Sequence, residues 1–161
     1  MNKKNILEIQ QAGITNFDEI FKYAVKIVRQ HQSFNPRRFS NLENHDQLLE
    51  HFFRVELTNP QSVILALKRK NIIVGYALIK MEEDSLVDLI SARAWLHDIF
   101  IDESARGLGG GKLLLNEAKN AARRLGSETL MLHVAEQNIF AQDLFKKNEF
   151  ETVMLEMMCQ V

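Results

Sequence analysis

Residues 102–112, Asp-Glu-Ser-Ala-Arg-Gly-Leu-Gly-Gly-Gly-Lys, contain four of the seven glycines of this chain, at positions 107, 109, 110 and 111. The stretch follows an apolar run, Trp95–Ile101, and precedes a helical pattern that starts near Gly109. Glycines at such a junction leave backbone N–H groups uncovered at a helix N-terminus, where the helix dipole favours anions. The stretch therefore predicts a strand, a phosphate-binding loop and a helix in succession.

The spacing of these glycines excludes two common nucleotide-binding loops. A Walker-type loop needs G-x-x-x-x-G-K-S/T, but the first glycine position would be Arg106 and the last position is Leu113. A dinucleotide fingerprint, G-x-G-x-x-G, would need a glycine where Lys112 stands. The residues do fit the pattern Q/R-x-x-G-x-G/A, as Arg106-x-x-Gly109-x-Gly111.

The composition is that of an ordinary globular protein, and we expect a single domain covering residues 1–161. Of the 161 residues, 46% are hydrophobic and 25% are charged, and the formal net charge is −1. This charge argues against a nucleic-acid-binding protein, which usually carries a basic excess. The lone cysteine, Cys159, excludes a disulfide framework and a cysteine-based metal site, and we expect no metal site. Without a membrane-spanning run or a signal-peptide pattern, we expect a cytoplasmic protein and no membrane partner.

Hydrophobic periodicity predicts an α/β protein with ten elements in the order β-α-α-β-β-β-α-β-α-β. This order implies a mixed sheet, with hairpins in the middle and one βαβ crossover through the helix after the glycine loop. The predicted helices cover residues 17–31, 44–57, 109–125 and 138–147. The predicted strands cover residues 6–9, 62–68, 72–81, 93–101, 129–134 and 150–158.

Two further motifs flank the glycine loop. The run Leu96-His-Asp-Ile-Phe-Ile-Asp102 precedes it, and Asn138-x-x-Ala141-x-x-Leu144-Phe145-x-x-x-x-Phe150 follows the next predicted strand. Together with the loop, these motifs resemble the GCN5-related N-acetyltransferase (GNAT) family, closest in style to its small-amine and polyamine members. The resemblance is strong over about a third of the chain, from Leu96 to Phe150. It implies the GNAT fold, with acetyl-CoA as cofactor, and N-acetyl transfer to an amine.

The resemblance also implies a cofactor site. The backbone N–H groups of residues 107–112 would hold the CoA pyrophosphate, and the Arg106 and Lys112 side chains would add positive charge. The cofactor residues of this loop are thus Arg106, Gly107, Leu108, Gly109, Gly110, Gly111 and Lys112. The strand residues Ile99, Phe100 and Ile101 would pair with the pantetheine arm, and one of their N–H groups would stabilise the oxyanion. Asn138 and Ala141 would contact the cofactor from the last helix. Asn138 also has the pattern of a helix N-cap, and both roles are compatible.

The proton chemistry departs from the family pattern. An alkyl amine has a pKa of about 10.4 and is mostly protonated at neutral pH, so a base must take its proton. His97 is the candidate general base, because an unperturbed imidazole has a pKa near 6.5. Alternatively, His97 is a half-buried strand residue without a role in proton transfer. His133 is a second candidate. Phe145 stands where the family usually has the tyrosine proposed to protonate the thiolate, and it cannot donate a proton.

The acceptor site is predicted between the first two helices. There the resemblance implies that Phe34, Arg37 and Arg38, with His97, contact a carboxylated acceptor; the alternative is a solvated basic loop. We expect a small-molecule or amino-acid-like primary amine. Two alternatives stay open, a catalytically silent CoA-binding regulatory module and a protein or peptide N-acetyltransferase. Many relatives are dimers, which implies a homodimer.

Overall fold

The computed structural model describes residues 6–39, 46–83 and 93–161, which form one five-stranded sheet flanked by helices. The strands are β1 (Leu7–Gln11), β2 (Ser62–Arg69), β3 (Ile72–Glu82), β4 (Arg93–Ile101) and β5 (Leu130–Leu132). They lie in the order β1-β2-β3-β4-β5. The first four strands pair antiparallel with one another, whereas β5 runs parallel to β4.

Four helices cover the two faces of this sheet. They are α1 (Phe17–Phe34), α2 (Asp46–Glu56), α3 (Gly110–Arg124) and α4 (Ile139–Lys146), and short 3-10 turns cover Ile14–Asn16 and Glu103–Ala105. One core joins α1 and α2 to sheet residues such as Ile64 and Tyr76, and the other joins α3 and α4 to residues such as Leu65 and Leu67. Strand β2 is apolar at successive positions because both its faces are covered.

The predicted element order is confirmed up to the last helix. The mixed sheet has its two central hairpins, and the parallel β4–β5 pair is joined by the α3 crossover. The fold is α/β, as the sequence predicts. Most boundaries lie within three residues of the prediction, and β4 has the predicted bounds.

The prediction of a final strand over 150–158 is wrong. Residues 151–161 have no strand or helix assignment and are exposed. Their residue types favour a strand, as the sequence pattern indicates, but a strand needs a partner edge, which a propensity pattern does not supply.

A buried carboxylate joins α2 to the sheet. Glu56, only 4% exposed, accepts hydrogen bonds from Lys80 Nζ at 2.7 Å, Asn59 Nδ2 at 3.0 Å and the Ser62 hydroxyl. Burial by itself raises the pKa of Glu56, but these hydrogen bonds and the Lys80 charge outweigh it and lower the pKa below its usual value. A lowered carboxyl pKa stabilises the fold above the unfolded-state pKa, and this contribution is lost as the pH falls through the folded-state pKa.

We therefore expect Glu56→Gln to lower the free energy of unfolding at pH 7 by about 1–3 kcal/mol, because Lys80 loses its buried partner. The difference from wild type should begin to shrink as the pH falls below the unfolded-state pKa of about 4.3, and it should be lost as the pH falls through the lower folded-state pKa of Glu56. Urea unfolding at pH 7 and pH 3.5 measures both values. Glu50→Gln is the matched control, since Glu50 lies on the same helix in an exposed pair with Arg54 and should cost less than about 0.5 kcal/mol. A loss that stays constant down to pH 3.5 would contradict the assignment.

Candidate active site

The glycine loop presents a row of free backbone donors. The N–H of Arg106 bonds to the Glu103 carbonyl, and the next N–H with a backbone acceptor is Leu113, which bonds to the Gly109 carbonyl at 3.2 Å. Among the described residues, the six N–H groups of 107–112 in between have no protein acceptor. They lie at the start of α3, whose first N–H groups have no intrahelical partner and whose dipole favours an anion. Such a row of donors at a helix N-terminus favours an anionic ligand.

The four glycines of the loop are required for two different structural reasons. Gly107 and Gly109 have φ angles of 74° and 84°, in the left-handed region that glycine adopts most readily. Gly110 and Gly111 are instead required by packing. A Cβ at Gly110 would lie 2.6 Å from Leu67 Cδ2, and one at Gly111 would lie 2.9 Å from Leu144 Cδ2. The first pair shapes the loop, and the second seats the helix against the sheet and α4.

Polar contacts fix the start of the loop. Asp102 accepts hydrogen bonds from the N–H and hydroxyl of Ser104 and from Lys26 Nζ of α1, at 2.9 Å. The Ser104 and Lys26 hydrogen bonds lower the pKa of Asp102 to about 2. Arg106 Nε donates to the Ile101 carbonyl at 3.0 Å, so its side chain folds back over the end of β4. Arg106 thus braces the loop, with its side chain still half exposed.

Strands β4 and β5 separate in front of the loop. Their pairing is limited to Ala94–Leu96 with Leu130–Leu132. Beyond Leu96, β4 stays paired with β3 on its other side, but its edge toward β5 has no strand partner among the described residues. Residues 97–101 therefore offer an open row of backbone groups, which an extended ligand with amide groups could pair with as an added strand.

His97 lies at an irregularity in β4. The β3–β4 register runs from Leu78↔Asp98 to Ile79↔Leu96, so His97 is an extra residue in the ladder. Such a bulge redirects the side chains around it. His97 Nε2 lies 2.7 Å from Glu82 Oε1 on β3, and the imidazole is about one-third exposed.

A cavity opens where β4 and β5 separate. Residues of α1, β4, α4 and the β5–α4 segment line it, among them His31, His97, Ile99, His133, Asn138 and Phe145. Burial lowers the pKa of His31, partly offset by the charge of Asp98, so its imidazole is neutral at pH 7. Asp98 accepts a hydrogen bond from the buried Tyr76 hydroxyl at 2.7 Å. Burial raises the pKa of Asp98, although Tyr76 and the two nearby imidazoles, His31 and His97, favour its charged form.

The glycine loop thus follows β4 in the chain, and the open edge of β4 and this cavity lie beside that strand. The sequence model of the acetyltransferase (GNAT) family matches residues 26–150. The chain belongs to the GNAT family. It is accordingly an N-acetyltransferase that uses acetyl-CoA.

Solved structures of similar fold cover nearly the whole chain. The tetramutant of the BH1408 protein from Bacillus halodurans is 17% identical with a TM-score of 0.82, covering 96% of this chain and 99% of that one. The aminoglycoside N-acetyltransferase AAC(6')-Iy, bound to a bisubstrate analogue of CoA, is 15% identical with a TM-score of 0.76, covering 97% and 98%. A predicted acetyltransferase from Clostridium acetobutylicum, solved with acetyl-CoA, is 16% identical with a TM-score of 0.73, covering 95% and 96%. At these identities the likeness shows the GNAT fold. No curated protein matches the chain in sequence.

The last helix of this GNAT domain places two predicted site residues at the cavity. Asn138 caps α4, because its side-chain oxygen accepts the Ala141 N–H at 3.3 Å. Its predicted alternative role as an N-cap is thus confirmed, and it also lines the cavity, as Ala141 does. Phe145 is 6% exposed, lines the cavity and packs against Phe150 with ring centroids 5.7 Å apart.

Of the predicted acceptor residues, His97 lines this cavity, whereas Phe34, Arg37 and Arg38 do not. Phe34 is the last residue of α1, and the Arg37 N–H bonds to the Asn35 side chain. Arg38 Nε pairs with Glu156 Oε1 at 2.5 Å, so a carboxylate of the chain itself holds this guanidinium. In place of these residues, α1 contributes Ile27, Gln30 and His31 to the lining, and sequence periodicity gave no signal for the last two.

The part of the chain that the structure describes holds neither a metal-binding cluster nor a membrane-spanning helix. No group of three or more acidic, histidine or cysteine side chains is arranged to hold a metal ion among residues 6–39, 46–83 and 93–161. In the same ranges, no helix combines the length and the apolar character that crossing a membrane requires.

Proposed function

We propose that this enzyme transfers the acetyl group of acetyl-CoA directly to the primary amine of a small, cationic molecule. The observation that carries the proposal is the open edge of β4 at residues 97–101, which runs between the free loop amides and the histidine-lined cavity. An extended cofactor on this edge would have its pyrophosphate at the loop and its thioester at the cavity. A cytoplasmic location and a homodimer belong to the same proposal.

The backbone N–H groups that have no protein acceptor indicate which residues would bind the cofactor. The N–H groups of 107–112 would hold the pyrophosphate, with Lys112 adding charge from the exposed side of α3. The backbone of Ile99, Phe100 and Ile101 would pair with the pantetheine amides. A backbone N–H on the same edge would stabilise negative charge on the reacting carbonyl oxygen, which is the largest electrostatic contribution in acyl transfer. Bound acetyl-CoA supplies the thioester, whose carbonyl carbon is the electrophile.

His97 is the proposed proton acceptor for the amine. Its imidazole lines the cavity, and Glu82 holds Nε2, which leaves Nδ1 for the acceptor or for an intervening water. A carboxylate on one ring nitrogen stabilises the imidazolium that forms when the other nitrogen takes a proton. Among the described residues, no serine, threonine, cysteine or lysine side chain lines the cavity, so we expect the amine to attack directly without an acyl-enzyme.

Phe145 would lie near the reacting thioester, but its side chain has no proton to donate. A thiol pKa of about 8.5 makes the free thiolate an acceptable leaving group at neutral pH, so a dedicated acid at this position is not required. Protonation of the thiolate by water after release is consistent with an apolar side chain here. Phe145 would then shape the cavity and exclude water rather than act in proton transfer.

The charges around the cavity favour a cationic acceptor. Two carboxylates, Glu82 and Asp98, lie within hydrogen-bonding or electrostatic reach of the cavity histidines. A third carboxylate, Glu156, pairs with Arg38, so these two charges offset each other. An aminoglycoside acetyltransferase with this fold, AAC(6')-Iy, has been solved with an acetylneamine derivative, which is consistent with an amine-rich acceptor.

A panel of amines tests this proposal. We expect thiol release from acetyl-CoA to depend on the amine and to be fastest with small cationic amines, such as polyamines and aminoglycosides, compared with amino acids and short peptides. Mass spectrometry of the products should show one added acetyl group. Trimethylated forms of the same amines are the matched controls, because they keep the positive charge but lack a nucleophile. Turnover with peptides alone would contradict the small-molecule acceptor. Acetyl-CoA binding without turnover on any amine would favour the regulatory module.

A further inference from the structure

The cavity where β4 and β5 separate has a buried, apolar side, which we call the cavity floor. Three lining residues form it, Ile27, Leu96 and Phe145, and each is 6% exposed or less. They come from three elements, α1, β4 and α4, and they belong to the two hydrophobic cores on opposite faces of the sheet. The floor is thus made of close-packed side chains, each held in place by its own core.

The more accessible lining residues are polar. The imidazole of His97 is about one-third exposed, His133 is exposed, and the half-buried Asn138 begins α4. The cavity therefore combines a polar rim with an apolar floor. Proton transfer to His97 belongs to the rim, which leaves the floor to contact an apolar group.

The volume of the cavity limits the size of that group. The cavity measures about 50 Å³. An apolar protein cavity of about 150 Å³ binds benzene, so each carbon atom needs roughly 25 Å³. On this scale the cavity has room for about two carbons, as many as an acetyl group contains. A propionyl or butyryl group brings further methylenes, which would have to displace close-packed side chains.

We propose that the cavity floor restricts the acyl donor to acetyl-CoA, and that Phe145 sets this limit. The inference rests on the proposed function, which brings the thioester to this cavity. The acetyl methyl group would contact the floor, while the amine approaches from the rim. Phe145 is the largest floor side chain, and its ring packs against Phe150 with centroids 5.7 Å apart. Its ring therefore has a second ring behind it and is poorly placed to make room for a longer acyl chain.

Acyl-CoA thioesters of increasing length test the size limit, with one amine acceptor kept the same throughout. For the wild-type chain, we expect kcat/KM to fall by roughly 10-fold from acetyl-CoA to propionyl-CoA and by roughly 100-fold to butyryl-CoA. Calorimetric titration without an amine gives the Kd of each thioester, which should rise in the same order. Equal kcat/KM and Kd values for the three thioesters would overturn the size limit and leave acetyl transfer standing. Failure of all three to bind would instead overturn the proposed function and the size limit together.

Phe145→Leu should relax the limit, because a smaller side chain enlarges the floor. We expect the ratio of kcat/KM for propionyl-CoA to that for acetyl-CoA to rise by about 10-fold. Phe17→Leu is the matched control and should keep the wild-type ratio. Phe17 is 5% exposed and stacks on Phe21 with centroids 5.2 Å apart, but it begins α1 and does not line the cavity.

Leu96→Ala opens the same floor from β4 and should raise the ratio as well. It keeps the proposal testable if Phe145→Leu does not fold. A folded variant of either kind that keeps the wild-type ratio of kcat/KM values would overturn the proposal.

Discussion

Gly109→Val is expected to weaken acetyl-CoA binding by roughly 100-fold or more. Gly109 has a φ of 84°, which costs an ordinary L-residue about 1–2 kcal/mol and a β-branched residue more. No protein atom lies within 4 Å of a Cβ built there, so a side chain would enter the space before the loop amides. Two lost hydrogen bonds to a charged phosphate, each worth about 1.5–3 kcal/mol, account for the expected change in Kd.

Gly126→Val is the matched control for backbone strain. Gly126 follows α3 with a φ of 92°, and a Cβ there would also meet no protein atom within 4 Å. Both variants should therefore lose a similar amount of stability in thermal unfolding. In calorimetric titration, only Gly126→Val should keep a Kd for acetyl-CoA within about twofold of wild type. Its backbone strain is comparable to that of Gly109→Val, but residue 126 lies at the other end of α3, away from the glycine loop. A wild-type Kd for acetyl-CoA in Gly109→Val would contradict the assignment of the glycine loop to the cofactor site.

His97→Gln is expected to lower kcat/KM by about 10²–10³ at pH 7 and by much less at pH 9. A positioned general base contributes roughly 10²–10⁴ to the rate. As the pH rises toward the amine pKa of about 10.4, more of the acceptor is already neutral, so the need for a base falls. The variant's rate should therefore rise with the fraction of free amine across this range. Initial rates of thiol release from pH 6 to pH 9.5 measure both profiles.

His133→Gln provides the matched control for this prediction. His133 lines the same cavity and packs against Trp95, with ring centroids 4.6 Å apart, but it directly follows β5 instead of lying on β4. We expect a change in kcat/KM of less than about threefold and a wild-type pH profile. If the profile changes in His133→Gln and not in His97→Gln, the proton acceptor is His133. An unchanged profile in His97→Gln would remove His97 from proton transfer.

The elements around the loop could be predicted because their signals are local. Strand β4 runs from Arg93 to Ile101, as its apolar run predicts, and α3 begins at Gly110 after the glycines. The turn at Lys70 and Asn71 has positive φ angles of 51° and 64°, in agreement with a tight hairpin between the two predicted strands. Each of these features depends on residues close together in sequence.

Features that depend on pairing between distant residues could not be predicted. The extra residue at His97 is a property of the β3–β4 register, and its contact with Glu82 joins residues fifteen positions apart. Packing against Leu67 and Leu144 explains Gly110 and Gly111, which the sequence alone assigned to phosphate binding. The Arg38–Glu156 pair spans 118 positions and changes the charge available to an acceptor.

The wrong final strand has the same origin. Residues 150–158 carry a strand pattern, and that pattern reports propensity without naming the partner edge. The structure leaves this segment unpaired, so its strand propensity is not realised within the chain.

Backbone amide shifts during a titration with acetyl-CoA test the central claim most directly. We expect the largest shift changes at the N–H groups of 107–112, with a second set at Ile99–Ile101, and we expect both sets to saturate together at one Kd. Saturating changes elsewhere, with these amides unmoved, would contradict the assignment of the glycine loop and the open β4 edge as the cofactor site.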